Sequence, residues 1–298
     1  SFVRQALSRG IGIEQNIGKN PYEFGFIGSS DTHVSAPSLS EEQHFGKFSH
    51  DTDLANRGSV PPDGKMSWEN VVSEETELAF ISSASYGASG LAGVWAESNT
   101  REDIFDAMKR KETFATSGPR IKTRFFAGNY NDTILSSTNM LEEAYKNGVP
   151  MGGTKSSGTN SPDFIAWAIK DPDGYPLQRI QIIKVWSDET DNLEQIYDIS
   201  CAGDLQPSPD TNRCPENGAS VDLSNCQTND ETGSSELKAL WSDPNYIPGQ
   251  KSAYYIRVLE NPKCRWSTWD AVRNGTPPNP NMQATIQDRA WSSAIWIK

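Results

Sequence analysis

The segment EFGFIGSSDTH, from Glu23 to His33, decides how the first part of the chain is interpreted. Its apolar run, Phe24–Ile27, is followed by the turn-forming residues Gly-Ser-Ser-Asp, which predicts a short buried strand that ends in a turn. Functional groups of α/β barrels lie at the ends of such strands. The segment therefore predicts a barrel-type strand whose end presents Asp31 and His33.

Asp31 and His33 are the candidate metal ligands of this segment. A carboxylate and an imidazole two residues apart, just past a strand, can enter one cavity and supply hard and borderline metal ligands. The alternative is that Asp31 only caps a turn, because such a triplet also recurs by chance. The other two histidines, His44 and His50, lie in polar sequence and are expected to be solvated at the surface.

Two helices are predicted from periodicity and capping residues. Residues 2–9 are predicted to form a short helix with Phe2, Val3, Ala6 and Leu7 on one side, and Gly10 is expected to end it. A second helix begins after Thr100 and ends near Lys111, with acidic residues in its first turn and basic residues in its last. Its predicted buried face consists of Ile104, Phe105 and Met108.

The pattern changes to strands after Gly118. Aromatic and β-branched runs separated by polar turns predict an antiparallel β-sandwich over residues 119–298, preceded by a separate unit over residues 1–118. Residues 200–245 are rich in Cys, Asn and Ser and are expected to form a surface loop inserted into the sandwich. The predicted strands are Arg120–Phe126, Phe164–Lys170, Ile180–Trp186, Glu194–Ile199, Tyr254–Glu260 and Ala294–Ile297.

The 4 cysteines all lie in the last third of the chain. Their irregular spacing, without a C-x-x-C pair, disfavours a zinc ribbon. Three disulfide connectivities are possible, of which we favour Cys201–Cys214 and Cys226–Cys264. Disulfides indicate an oxidising compartment and hence a periplasmic or extracellular protein, whereas four reduced thiols in a cytoplasmic protein are the alternative.

Composition excludes several classes of partner. The net charge of -12 over 298 residues disfavours binding to nucleic acid or to anionic membranes. No apolar run approaches the roughly 20 residues that a membrane-spanning helix needs. The first residues lack the features of a signal peptide, so any such peptide is expected to lie outside this sequence.

Several strings together resemble the bacterial domain-of-unknown-function family 3604. They are Glu23–His33, Gly90–Glu97, Asn99–Phe126, Ile180–Trp186, Tyr255–Glu260, Cys264–Asp270 and Arg289–Ser293. That family is similar in turn to the polymerase-and-histidinol-phosphatase (PHP) metallohydrolases, especially the carbaryl-hydrolase-like branch. The resemblance implies an α+β fold in which the C-terminal remnant of a PHP-like α/β barrel is followed by an antiparallel β-sandwich.

The same resemblance implies a function. Asp31 and His33 would be two ligands of a di- or trinuclear Zn, Mn or Fe centre, whose bound hydroxide would attack an anionic ester, with phosphoesters as the favoured substrates. An N-terminal half of the protein would supply a His-x-His pair and further His and Glu ligands. No His-x-His occurs in this sequence, so we expect this chain by itself to be inactive. Arg120 is the candidate contact for the anionic substrate.

A binding module is the alternative to an enzyme. In that interpretation the β-sandwich docks a glycan or a partner domain, or serves as a plain accessory domain. Aromatic side chains exposed on one sheet face would favour a glycan. A broad apolar patch beside residues 1–35 would instead mark the surface against which the N-terminal half packs.

Overall fold

The computed structural model describes residues 2–61, 67–68, 85–188, 191–229 and 231–298, which form a mixed α/β fold dominated by antiparallel sheets. The helices are α1 (Val3–Ile17), α2 (Leu54–Arg57), α3 (Arg101–Lys109), α4 (Met140–Asn147) and α5 (Trp266–Asn274). The longer strands are β1 (Leu91–Val94), β2 (Thr113–Thr116), β3 (Lys122–Gly128), β4 (Gly148–Pro150), β6 (Asp163–Ile169), β7 (Leu177–Ser187), β8 (Asn192–Cys201), β11 (Glu236–Ser242), β12 (Ser252–Glu260), β15 (Arg289–Ser292) and β16 (Ile295–Ile297). The two-residue strands are β5 (Thr154–Lys155), β9 (Val221–Asp222), β10 (Gln227–Thr228), β13 (Lys263–Cys264) and β14 (Thr285–Ile286).

Two larger sheets make up most of the fold. An 8-stranded sheet runs in the order β1-β2-β15-β12-β16-β5, with β7 paired to β12 and β8 paired to β7. A 4-stranded sheet runs in the order β11-β6-β3-β4. Strands β1 and β2 precede residue 118 yet belong to the larger sheet, which therefore spans the boundary expected between residues 1–118 and 119–298.

One apolar core lies between these two sheets. Phe125 and Phe164 from the smaller sheet share it with Ile182, Tyr254 and Ile256 from the larger one. The ring centroids of Phe164 and Tyr254 are 4.6 Å apart. The sheets thus pack face to face, in the manner of a β-sandwich, and alternate residues of each strand point into the shared core.

The outer face of the larger sheet is covered in part by α1. Leu7 and Ile11 of this helix pack against Ile183, Val185 and Trp296. The helix continues to Ile17 and ends at Gly18 (φ 76°), so the expectation that Gly10 would end it is wrong. A Cβ at Gly10 would lie 2.1 Å from Oδ1 of Asn20, which shows that this glycine permits a close approach inside the helix.

Helix α3 confirms the predicted cap but not the predicted buried face. The Thr100 side chain accepts a hydrogen bond from the Asp103 backbone N–H, as expected of an N-cap. Phe105 is 63% exposed and Met108 is 47% exposed, whereas Ala107 is buried. Of the predicted face, Ile104 is half-buried, whereas Phe105 and Met108 remain at the surface.

All six predicted strands are present with shifted ends, as β3, β6, β7, β8, β12 and β16. Strands β1, β2 and β15 and helices α4 and α5 were not predicted. The expected insertion at residues 200–245 is wrong in part, because β11 lies within it and pairs along its whole length with β6. Leu237 and Ala239 are the buried residues that anchor this strand.

The structure contains both favoured disulfides, Cys201–Cys214 and Cys226–Cys264. They are compatible with an extracellular or periplasmic protein. Within the described ranges, no helix is long and apolar enough to cross a membrane. The described residues do not show a remnant of an α/β barrel: β5 and β16 form a parallel pair, and the other strand pairs among them are antiparallel.

Candidate functional site

The segment that leads to Asp31 is extended but is not a strand. Phe24–Ile27 lies outside the described strands, which corrects the predicted barrel strand. Its hydrogen bonds are scattered: the Phe26 N–H donates to the Ser293 side chain, and the Gly28 N–H donates to the Leu91 carbonyl. The segment does not form a continuous β-ladder, because the Phe26 N–H is bonded to a side chain and not to the backbone of a neighbouring strand.

Asp31 occupies an unusual backbone conformation at the end of this segment. Its φ is 49°, in the left-handed region that non-glycine residues seldom adopt. Its side chain is 73% exposed and accepts a 2.5 Å hydrogen bond from the Lys47 ammonium. This hydrogen bond is the main cause that lowers the pKa of Asp31, so the carboxylate is charged at neutral pH beside a cation.

His33 is exposed and is oriented by its neighbours. Its ring stacks on Phe48 with centroids 4.5 Å apart, and its backbone N–H donates to the Lys47 carbonyl at 2.9 Å. The same short loop, Lys47–Phe48, therefore contacts both predicted ligands. Sequence reasoning did not identify this loop, because nothing local marks Lys47 or Phe48 as partners of residues so far upstream.

His50 lies beside the same phenyl ring. Its imidazole is stacked with Phe48 at 5.7 Å between centroids. Nε2 of His50, which is 68% exposed, lies 2.8 Å from a carboxylate oxygen of the buried Asp51. Asp51 also accepts a hydrogen bond from the Phe48 backbone N–H. A buried carboxylate thus orients an exposed imidazole, an arrangement that also supports metal-binding and proton-transfer histidines.

His44 is structural, which corrects the expectation that it is solvated. Its ring is buried at 5.0 Å from Trp266. Burial, followed by the charges of Arg57 and Arg265, lowers the pKa of His44 to about 4. The nearby Glu41 is also buried, and its carboxylate accepts hydrogen bonds from backbone N–H groups. Of the three histidines, only His33 and His50 are therefore available to a ligand.

Arg120 lies in a different place. It is exposed on the wall of a cavity of about 770 Å³ that neither Asp31 nor His33 lines. The Arg120 backbone N–H donates to the Asp171 carboxylate at 2.6 Å, and Lys263 lines the same cavity. The predicted substrate contact and the predicted metal ligands are thus not brought together by the described residues.

A buried charged cluster lies next to this cavity. Lys263 contacts the Asp288 carboxylate and lies 3.7 Å from Glu260, all three side chains being almost completely buried. Neither carboxyl oxygen of Glu260 has a hydrogen-bond partner in the described part of the chain. Burial is the main cause that raises the pKa of Glu260 to about 8, with the charge of Lys263 opposing it and that of Asp288 adding to it.

This cluster predicts a pH dependence of stability. The folded chain keeps a proton on Glu260 that the unfolded chain releases near 4.5, so stability falls as the pH rises from 4.5 towards 8. We expect Glu260→Gln to raise the free energy of unfolding by roughly 2–3 kcal/mol at pH 8 and to change it little at pH 4. Urea unfolding at both pH values, with exposed Glu231→Gln as the control, measures this. Equal gains at the two pH values would contradict it.

The donor groups of the site fit a divalent cation only in part. Asp31 and His33 supply one carboxylate and one imidazole, but a resident metal needs at least three or four protein ligands. In the part of the chain that the structure describes, no group of three or more His, Cys, Asp or Glu residues is placed to hold a metal ion. Any such centre requires ligands from elsewhere.

The comparisons with known proteins give one match. A family model described as "Protein of unknown function (DUF3604)" matches residues 1–298. Neither the curated proteins nor the solved structures compared with the chain include a match.

Proposed function

The chain belongs to the DUF3604 family of proteins of unknown function, and from this premise we propose that it contributes two metal ligands to a metal-dependent hydrolase. In this proposal the family is related to the PHP-type, carbaryl-hydrolase-like metallohydrolases, and residues 1–118 include the C-terminal remnant of the barrel. The protein acts in the periplasm or outside the cell. Its substrates are small anionic esters, with phosphoesters as the favoured class.

The observation that carries the proposal is the exposure of Asp31 and His33 on one turn with an unusual backbone conformation. Both side chains are exposed on one short turn, and Asp31 has a backbone φ of 49°. Residues held in sparsely populated conformations cluster at ligand-binding sites, where the surrounding structure compensates for their strain. A turn that only reversed the chain direction would need neither the carboxylate nor the stacked imidazole.

Lys47 supports the same interpretation. Its ammonium bonds to Asp31, and it also lies 5.3 Å from the Phe48 ring and 4.9 Å from the Tyr86 ring. A cation therefore already occupies the position beside this carboxylate. The Lys47 side chain is half-buried, whereas the Asp31 carboxylate beside it is exposed, so the pair is compatible with a site completed by further ligands.

The chemistry follows from the ligand types. A bound Zn, Mn or Fe ion would supply an activated water and would neutralise charge on the ester. His33 would present its imidazole in the orientation fixed by the Phe48 stack, and Asp31 would present a carboxylate that is charged at neutral pH. Arg120 stays a separate prediction of an anion contact, because the cavity that it lines with Lys263 is lined by neither Asp31 nor His33.

The test is hydrolysis by the protein extended upstream of Ser1 through the expected His-x-His half. We expect the extended protein to hydrolyse a phosphomonoester or a phosphodiester, to lose that activity on dialysis against a chelator, and to regain it with Mn²⁺ or Zn²⁺. The chain alone is expected to be inactive. Activity that resists complete metal removal would contradict the proposal.

An assembly or binding module is the second candidate, and one observation favours it. Three large apolar side chains within residues 1–35, those of Phe2, Val3 and Ile27, are exposed and together form an apolar patch. The patch is continuous with a groove between α1, the Phe24–Ile27 segment and the larger sheet. An extended protein without metal and without hydrolysis would favour this candidate.

A further inference from the structure

The groove beside α1 combines an apolar wall with charged groups at its floor. It has a volume of about 550 Å³, within the range of small-molecule sites. Its walls are the first residues of α1 and the extended segment Phe24–Ile27, and its floor is the outer face of the larger sheet. Trp291 and Tyr255 contribute aromatic surface to that floor.

Two arginines lie on this floor because of strand register. Arg257 of β12 is paired with Trp291 of β15, and Leu259 is paired with Arg289. Residues directly opposite in an antiparallel pair, and residues two apart on one strand, point to the same side of the sheet. Arg257, Trp291 and Arg289 therefore share the outer face.

Neither guanidinium has a carboxylate partner among the residues that the structure describes. Arg257 donates to the Gln181 side chain at 2.7 Å, and Nε of Arg289 is buried without a hydrogen-bond partner. The ion pair that borders the groove joins Arg4 to Glu194. In a chain with 39 acidic and 27 basic residues, two neighbouring arginines without an acid are unexpected.

Two neighbouring, half-buried arginines without an acidic partner destabilise the fold unless an anion binds between them. Both side chains are half-buried, and burial followed by the charge of Arg289 lowers the pKa of Arg257. Guanidinium groups bind carboxylates and phosphates through charge-assisted hydrogen bonds, and an anion bound between the two arginines would relieve the repulsion between the two cations.

We propose that this groove binds a small organic anion, a carboxylate or a phosphate with a flat apolar body. The anionic group lies between Arg257 and Arg289, and the apolar body packs on Trp291 and against Phe24 and Ile27. Neither Asp31 nor His33 lines the groove, so the site is independent of the proposed metal centre.

Phenyl phosphate is the probe that tests this site in the chain as it stands. Binding is measured by titration calorimetry, and its location by the indole N–H signal of Trp291, assigned with Trp291→Phe. Benzyl alcohol serves as the neutral probe of similar shape. Arg257→Gln and Arg289→Gln remove one groove charge each, and Arg9→Gln removes an exposed charge of α1 outside the groove.

We expect phenyl phosphate to shift the Trp291 signal and to bind at least about ten-fold more tightly than benzyl alcohol. Each groove variant should weaken its binding about ten-fold or more, and Arg9→Gln should leave it nearly unchanged. Equal affinities for the two probes, or equal effects of the three variants, would overturn the proposal. If a groove variant does not fold, the affinities of the unchanged chain for phenyl phosphate and benzyl alcohol still test the proposal.

The upstream-extended protein provides a second test of the proposed anion site. We expect the extended protein, freed of metal with a chelator so that the probe is not hydrolysed, to bind phenyl phosphate as the chain does. Loss of binding in the extended protein, with protection of the Trp291 indole from solvent exchange, would show that a polypeptide fills the groove, and would overturn the small-anion proposal.

Discussion

Replacing either Asp31 or His33 by alanine in the upstream-extended protein is expected to lower kcat/KM for phosphoester hydrolysis about a thousand-fold or more. The reason is that a metal ion which activates water contributes several kcal/mol to the transition state, and each 1.36 kcal/mol corresponds to a factor of about ten. Asp31→Asn is the more conservative variant, since asparagine tolerates the positive φ of this position while it removes the charge.

The stability of the same variants separates a catalytic role from a structural one. Asp31 is exposed and its ion pair with Lys47 lies at the surface, so loss of the pair should change the free energy of unfolding by about 1 kcal/mol or less. The exposed Asp210→Ala, in the disulfide-linked loop, serves as the control and should keep full activity. Activity retained in Asp31→Ala or in His33→Ala would refute the ligand assignment.

The largest loss of stability is expected for Asp243→Ala. The Asp243 carboxylate, fully buried, accepts hydrogen bonds from the Lys184 ammonium at 2.6 Å and from the Tyr254 hydroxyl at 2.7 Å. The alanine variant leaves Lys184 buried without an opposite charge. Removing one partner of such a pair costs about 3–5 kcal/mol, and the lost tyrosine bond places this variant at about the upper end.

A double variant tests that explanation. Lys184→Met with Asp243→Leu removes both charges and should recover most of the lost stability, because a buried pair replaced by apolar groups of similar volume is often neutral. Glu194→Ala breaks the half-exposed pair with Arg4 and should cost about 1 kcal/mol or less. Urea unfolding measures all three; a double variant as unstable as Asp243→Ala would show that the charge of Lys184 is not the cause.

Local sequence patterns predict most strands of the two sheets, because the apolar runs and the turn residues that separate them indicate the same strand boundaries. The turn at Asp171–Gly174 separates β6 from β7 as expected. The disulfide pairing was favoured correctly, although spacing alone left three connectivities open. The sequence analysis does not predict strand β11, because β11 lies in sequence that is otherwise typical of a loop, and tertiary pairing with β6 determines it.

The parts of the sites that sequence did not predict depend on long-range packing. His44 is buried against Trp266, more than two hundred residues away in sequence, so no local signal distinguishes it from His50. Arg257 and Arg289 become neighbours only through the register of β12 and β15. The exposure of Asp31 and His33 agrees with a ligand role but follows from the turn itself, which local residues do predict.

The metal content of the extended protein tests the central claim most directly. We expect inductively coupled plasma mass spectrometry to find at least one equivalent of Zn, Mn or Fe in the extended protein, and much less in the chain alone and in the extended Asp31→Asn/His33→Ala variant. An extended protein that is folded but free of metal, or a double variant that retains the full complement, would contradict the assignment of Asp31 and His33 as metal ligands.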